Sequence, residues 1–245
     1  MNRQFEGQHA IVTGGTRGIG RAATEILLRG GAAVTAIYCG NDATAASFAA
    51  AWDGYPLTTT KLDVADYAAC ELFFLEYSEN HERLDILINS AGIRLDSVLG
   101  MMKPADWDRV LAVNLTGSFN ICKFAVQHMM KHRYGRIVCV TSPSGRLGFI
   151  GQCNYAASKA GQVAMVKSLS KEVASRGITA NCISPGFIET ELLADLSEDL
   201  RKEYRRQIPM KRFGKPEEVA EAIRFLVSRE ASYITGTVVE ISGGL

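Results

Sequence analysis

Tyr155 and Lys159, in the segment NYAASKAG, are four residues apart, and on a helix that spacing places both side chains on one face. An ammonium beside a phenol stabilises the phenolate, so the tyrosine pKa is expected to fall toward neutrality and the hydroxyl to exchange a proton during a reaction. Thirteen residues before Tyr155, Ser142 stands in VTSPSG, just after an apolar run. A lone Tyr/Lys pair is more often an ordinary helix face. This one is accompanied by Ser142 and, nearer the amino terminus, by a glycine-rich turn.

That turn is TGGTRGIG, with Gly14, Gly18 and Gly20 as G-x-x-x-G-x-G and Gly15, Thr16, Arg17 and Ile19 between them. It follows the apolar run HAIVT and opens the amphipathic stretch RAATEILL. Glycine permits a tight turn and close backbone approach, and the unpaired N–H groups of a helix start attract a pyrophosphate. The spacing is a variant of the dinucleotide fingerprint G-x-G-x-x-G. A triphosphate-binding loop fits worse, because Arg21-Ala22 stands where Lys and Ser/Thr are needed. An acid ending the second strand would accept the free ribose 2′-hydroxyl, but AAVTAIYCGN carries no carboxylate before Asp42. Arg17, in the turn, can meet a 2′-phosphate bidentately, so the expected cofactor is NADPH. An isolated loop arginine is otherwise simply solvated.

These residues need a scaffold that brings residues 14, 142 and 155 together. Short β-rich runs alternate with helical patterns: HAIVT, then 18–29; AAVTAIY, then 43–52; PLTTTKLD, then 66–80; LDILIN, then 104–131. RIVCVTS precedes 152–176, ITANCIS precedes helices near 191–207 and 216–228, and TVVEIS closes the series. Seven strands separated by helices predict an α/β, Rossmann-type doubly wound fold: a mostly parallel sheet with helices on both faces. Ligands in such sheets bind beyond the carboxyl ends of the strands, near the point where strand order reverses. With no shift in composition, no linker and no repeat, residues 1–245 read as one domain. Six cysteines show no C-x-x-C pair and no His/Cys cluster, which argues against a metal site or a redox dithiol. Cys139 and Cys182 read as small buried hydrophobes, and packing is favoured for Cys153 as well. The formal net charge of +1 provides no global basic field for nucleic acid or an anionic membrane. The segment MNRQFEGQHA lacks a signal-like apolar run, and no stretch approaches the length of a membrane span, so a cytoplasmic protein is expected.

TGGTRGIG, NSAG at 89–92, Asn114 in VNLTG, Ser142, YAASK at 155–159 and PGFIET at 185–190 together resemble the short-chain dehydrogenase/reductase family. The resemblance runs from about residue 6 to 244. Within the family the chain is most similar to the 3-oxoacyl-[acyl-carrier-protein] reductases, in EVASRGITANCISPGFIETEL, YITGTVVEISGG and MMKHRYGRIV. The resemblance implies reduction of a β-keto thioester by NADPH. Tyr155 would be the proton donor, Ser142 would orient the carbonyl, Lys159 would hold the nicotinamide ribose and lower the Tyr155 pKa, and Asn114 would hold a water leading to solvent. It also implies that Gly14 to Gly20 meet the pyrophosphate, Asp63 and Val64 the adenine, and Asn89, Ala91 and Gly92 the dinucleotide cleft. In PGFIET, Pro185 and Gly186 lead to Ile188 and Thr190 at the nicotinamide end. Asp63 could alternatively cap the next helix, and Asn89 could bond between strands. Ser142-Pro143-Ser144 departs from the family's usual small pair, and Pro143 is expected to stiffen the substrate loop.

Between 201 and 215 lie seven basic residues, Arg201, Lys202, Arg205, Arg206, Lys211, Arg212 and Lys215, against the single acid Glu203. The family places this stretch in a substrate lid, about 188–215. As a plain helix it also makes sense, with Ser197 capping, Glu198 and Asp199 in the first turn and bases behind. The like-charged pairs Arg201/Arg205 and Lys202/Arg206 suggest a counterion. Arg133 and Arg176, with Lys131 nearby, match positions through which the family's reductases engage their acidic acyl carrier protein. A homotetramer is implied, pairing helices 104–131 and 152–176 at one interface. The competing readings are a reductase of a free ketone, sugar or steroid, and a silent dinucleotide-binding subunit, which the presence of both Tyr155 and Lys159 disfavours.

Overall fold

The computed structural model describes residues 3–191 and 197–245 of the chain. Its sheet contains β1 His9–Thr13, β2 Ala33–Tyr38, β3 Leu57–Lys61, β4 Ile86–Asn89, β5 Gly135–Val140, β6 Ile178–Pro185 and β7 Val238–Ile241. The order is β3-β2-β1-β4-β5-β6-β7 and every pairing is parallel. The order in which successive strands are added therefore reverses between β1 and β4, which is where a crevice opens.

Alternation along each strand divides the apolar residues between the two faces. Ile11, Leu87, Ile137 and Cys139 join one core, while Ala10, Val12, Ile86, Ile88 and Val138 join the other. Central strands β5 and β6 are buried along their whole length because helices cover both faces, whereas the edge strands β3 and β7 are only partly covered.

The first face carries α3 Tyr67–Asn80, α5 Gly117–His132 and α7 Cys153–Val173; Phe74, Ile121, Met129 and Val166 come from these helices. The second carries α1 Gly18–Arg29 and the helix Pro216–Leu226, through Leu27, Ile223 and Leu226. Burying each such side chain contributes roughly 1.5–3 kcal/mol. Helix α2 Asp42–Ala51 starts at Asn41, whose side chain accepts from the Thr44 amide.

The helix expected over 104–131 is broken. It divides into α4 Pro104–Leu111, a π turn at Ala112–Thr116, and α5. A one-turn helix, α6 Ser144–Leu147, appears directly after Pro143. Of the helix near 191–207, α8 Glu198–Gln207 is observed, and residues 192–196 lie outside the described residues. The helix Pro216–Leu226 is α9. No helix among the described residues is long and apolar enough to cross a membrane.

Candidate active site

Tyr155 and Lys159 both project from the first turns of α7, and Lys159 Nζ lies 5.5 Å from the centre of the Tyr155 ring. Ser142, two residues beyond β5, stands close enough to hydrogen-bond the Tyr155 hydroxyl. Asn114 occupies the π turn, where the extra residue displaces the helical ladder and aims a side chain sideways. Its Oδ1 accepts from the Ile93 amide at 2.8 Å, and its Nδ2 donates to Ile93 O at 3.0 Å and Ser158 Oγ at 3.1 Å. Gly92 lies where the two halves meet. A Cβ there would come within 3.3 Å of Asn114 Oδ1 and 3.5 Å of Lys159 Nζ.

Lys159 is buried, at 4 % exposure, and its ammonium donates to Val140 O at 2.9 Å and Gln162 Oε1 at 3.1 Å. Burial pushes its pKa down to about 8, with the neighbouring Cys139 and Cys182 opposing the shift. Burial also pushes the Tyr155 phenol above its ordinary value; the Ser142 hydrogen bond and the Arg94 charge work downward, and Asp96 works upward. The expected fall of the Tyr155 pKa toward neutrality is thus not met. Loss of water around the phenol outweighs its partners, and a buried lysine that itself titrates near neutrality is a weaker source of positive potential.

The glycine-rich turn has the shape a pyrophosphate requires. Gly14 and Gly18 adopt φ of +63° and +53°, and a Cβ on Gly20 would lie 2.2 Å from Gly14 O. Arg17 occupies the N-cap of α1 with no side-chain cap hydrogen bond, and the first turn itself contains no acid, although Glu191 Oε2 comes within 3.6 Å of a Cβ built on Gly18. Gly15 N donates to Ile37 O at 3.0 Å, which seats the turn against the end of β2. Thr16 is buried, Ile19 packs on the second core, and Arg17 is exposed. From the far side, Thr190 reaches over Gly18, 3.4 Å from a Cβ built there. A dinucleotide fits these residues.

Other expected cofactor residues make contacts that hold the cleft. Asn89, buried at 1 %, accepts from Thr13 Oγ1 at 2.9 Å and donates to Cys139 Sγ at 3.8 Å, so it bonds between strands. Thr13 Oγ1 also accepts the Ser90 and Ala91 amides at 3.0 Å, joining the ends of β1 and β4. Asp63 accepts from the Ala65 amide and pairs with Arg109, both at 3.0 Å. It is not the cap of α3, a role taken by Asp66. Val64 is buried against Gly117, and its carbonyl accepts from Asn120. Pro185 ends β6, Gly186 N donates to Ile241 O at 3.0 Å, and Ile188 is buried in the second core.

Several polar residues beside the site carried no signal in the sequence. Gln162, fully buried, accepts from Lys159 and donates to Asn114 O at 2.8 Å. Its only sequence trace is the i, i+3 spacing from Lys159. Ser144 N donates to Ser142 Oγ at 3.2 Å, Ser144 Oγ donates to Gln152 Oε1 at 2.9 Å, and Gln152 donates to Asp96, which pairs with Arg94. Pro143 stands at the N-cap of α6, where its missing N–H costs nothing.

Lys131, Arg133 and Arg176 are not brought to this site. They precede β5 and β6, at the amino-terminal edge of a parallel sheet whose carboxyl edge leads to Ser142 and Gly186. Arg133 donates to Ser175 O at 3.0 Å. The basic stretch on α8 does lie close, since Arg201 lines a cleft of about 510 Å³ with Gly18, Glu25 and Thr190. Ser197 caps α8 as expected. The like-charged Arg201 and Arg205 stack on the Phe213 ring, at 5.7 and 5.4 Å, so an aromatic face does part of what a counterion was expected to do. The six cysteines are free thiols; Cys139 and Cys182 are buried and Cys153 is exposed. No cluster able to hold a metal ion occurs among the described residues.

A family profile described as enoyl-(acyl carrier protein) reductase matches residues 14–245. The 3-oxoacyl-[acyl-carrier-protein] reductase FabG of Aquifex aeolicus is 40 % identical, with 100 % of both chains covered. The FabG of Escherichia coli is 43 % identical over 98 % of each chain. A solved Agrobacterium tumefaciens protein, provisionally described as a gluconate dehydrogenase, superposes with a TM-score of 0.95 at 29 % identity, covering 99 % of this chain and 97 % of its own. With its seven-stranded parallel sheet, its glycine cradle and these full-length relatives, the chain belongs to the short-chain dehydrogenase/reductase family of nicotinamide-dependent oxidoreductases.

Proposed function

We propose that the chain reduces a 3-oxoacyl thioester borne on acyl carrier protein to the 3-hydroxyacyl thioester, with NADPH, in fatty acid or polyketide-type biosynthesis. The observation that carries this reading is the convergence of Ser142, Tyr155, Lys159 and Asn114 beside the glycine cradle, in a chain 40 % and 43 % identical to two reductases of that substrate. Bound NADPH supplies the hydride. Ser142 donates a hydrogen bond to the keto oxygen and orients it, and Tyr155 gives that oxygen its proton as negative charge develops. Lys159 holds the nicotinamide ribose and, as an ammonium, eases the departure of the Tyr155 proton. Asn114 anchors Ile93 and, through Gln162, the position of Lys159; a water held beside Asn114 returns a proton to the pair.

In this reading Gly14, Gly15, Thr16, Gly18, Ile19 and Gly20 line the pyrophosphate, Arg17 meets the 2′-phosphate, and Thr190 with Ile188 closes the nicotinamide end. Residues 1–245 act as one domain with a lid at about 188–215, in a cytoplasmic homotetramer. Phe119 and Met130, exposed on α5, support that helix as an interface. Arg133, Arg176 and Lys131 engage the carrier from the far edge of the sheet, so the carrier meets them from a neighbouring protomer.

A carrier-independent reduction of a free ketone, sugar or steroid is the second reading, favoured by the likeness to the Agrobacterium protein. Rates of NADPH oxidation with 3-oxoacyl carrier, 3-oxoacyl coenzyme A and free keto sugar acids separate the two. The carrier substrate should have the highest kcat/KM; faster turnover of a free ketone would reject the first reading.

A further inference from the structure

Asp42 begins α2, about 20 residues beyond the glycine-rich turn, which is the spacing at which a dinucleotide site places the acid that accepts the ribose 2′-hydroxyl. It is not a bare carboxylate. Lys61, the last residue of β3, donates to Asp42 Oδ2 at 2.9 Å. Tyr38, the last residue of β2, lies in register with Lys61 and also hydrogen-bonds Asp42. Lys61 holds the Asp42 carboxyl below the usual carboxylate range. The pair is exposed, with side-chain accessibilities of 56 % and 66 %, and pairs of this kind contribute little to stability. Its place is distinctive: it stands at the end of β2, and the Gly15 amide bonds Ile37 one residue before Tyr38, so the glycine-rich turn and this pair flank one corner. Arg21, next along α1, is taken by Glu25 at 2.8 Å, while Arg17 has no partner among the described residues.

We propose that Lys61 sets the cofactor preference of this chain by masking Asp42. An unmasked carboxylate at this corner would accept a ribose hydroxyl and repel a 2′-phosphate; masked, it no longer opposes the attraction of Arg17 for the phosphate. Asp42 is thus an NADH-type acid retained in the sequence and neutralised by a lysine from the adjoining strand. This inference rests on the NADPH reading above, and the two fail separately.

The test is isothermal titration of the full-length protein with NADPH and with NADH, which reads binding rather than turnover. Wild type should bind NADPH more tightly. Lys61→Ala should weaken NADPH by about tenfold and leave NADH unchanged or tighter. Asp42→Asn with Lys61→Ala should return NADPH binding to near the wild-type value, because the acid that needed masking is gone. Lys61→Ala binding NADPH like wild type would overturn the inference. So would a double variant as weak as Lys61→Ala, since Lys61 would then be holding the phosphate itself. Wild type preferring NADH would instead overturn the NADPH reading.

Discussion

Gln162 Oε1 accepts from Lys159 Nζ at 3.1 Å, and Gln162 Nε2 donates to the main-chain oxygen of Asn114 at 2.8 Å. One buried amide therefore sets the separation between the lysine on α7 and the π turn. Gln162→Leu keeps the volume and removes both of these bonds and a third, from Gln162 Nε2 to Ser118 Oγ. It should lower kcat about tenfold with little change in KM, and cost about 1–3 kcal/mol of stability from the donors and acceptors left unpaired. Steady-state kinetics beside a urea titration check this; an unchanged kcat would show that the amide only fills space.

Lys159 carries an opposed pair of effects. Its folded pKa, near 8, lies below that of an exposed lysine, so the fold disfavours the charge. The stability associated with its neutral form is complete only above the unfolded pKa and is lost as pH falls through about 8, which makes the charged lysine a burden at pH 7. Lys159→Met should abolish turnover without lowering the Tm at pH 7. A clear fall in Tm would mean that the bonds to Val140 and Gln162 outweigh the cost of the buried charge. In wild type, the rate of carbonyl reduction should decline above about pH 8 as Lys159 loses its proton.

All four histidines gather away from the site, at the amino-terminal edge of the sheet. His9 meets His81 at 5.1 Å, Tyr77 touches both His81 and His128, and His132 lies 6.5 Å from His128. Burial lowers the pKa of His81 and of His128, helped by His9 in the first case and by Lys131 and His132 in the second. In both the fold disfavours the charged form, so the unfolded chain takes up their protons first. Stability is complete above the unfolded histidine value of about 6.5 and falls as pH drops through the folded values, by at most about 1.4 kcal/mol per pH unit for each proton. Urea midpoints at pH 7.5 and 5.5 should show the loss, and His128→Phe should reduce it. Equal sensitivity in wild type and variant would contradict this.

Pro143 starts the helical turn that carries Ser144 toward Gln152. Pro143→Ser should loosen this turn and change the ratio of rates on short and long 3-oxoacyl carriers, leaving cofactor binding alone. An unchanged chain-length profile would contradict the role of the proline.

The sheet was legible because its signal is local. HAIVT reads as a strand and is one, residue for residue, since β1 is buried on both faces and needs continuous apolarity. That Tyr155 and Lys159 share a helix face was legible from their spacing, and the place of Ser142 from the apolar run before it. The π turn at Asn114 was not, because the helical pattern from 104 to 131 is continuous and the break serves tertiary contacts with Ile93 and Ser158. Gln162 and Gln152 were invisible for a related reason: a glutamine on a helix or at its N-cap is ordinarily solvated, and only the packed structure buries these two. The direction of the Tyr155 pKa was misjudged because the sequence displays the lysine and not the loss of water. The distance of Lys131, Arg133 and Arg176 from Ser142 was not legible either, because it follows from the parallel sheet, which separates its two edges by the length of a strand.

The most direct test of the central claim is a single-turnover reaction of 3-oxoacyl carrier with NADPH, comparing wild type with Tyr155→Phe. The wild type should form the 3-hydroxyacyl carrier, and the variant should bind NADPH equally well while its reduction rate falls by about 10²–10⁴-fold, the contribution of a positioned proton donor. Reduction by Tyr155→Phe at the wild-type rate would contradict the account.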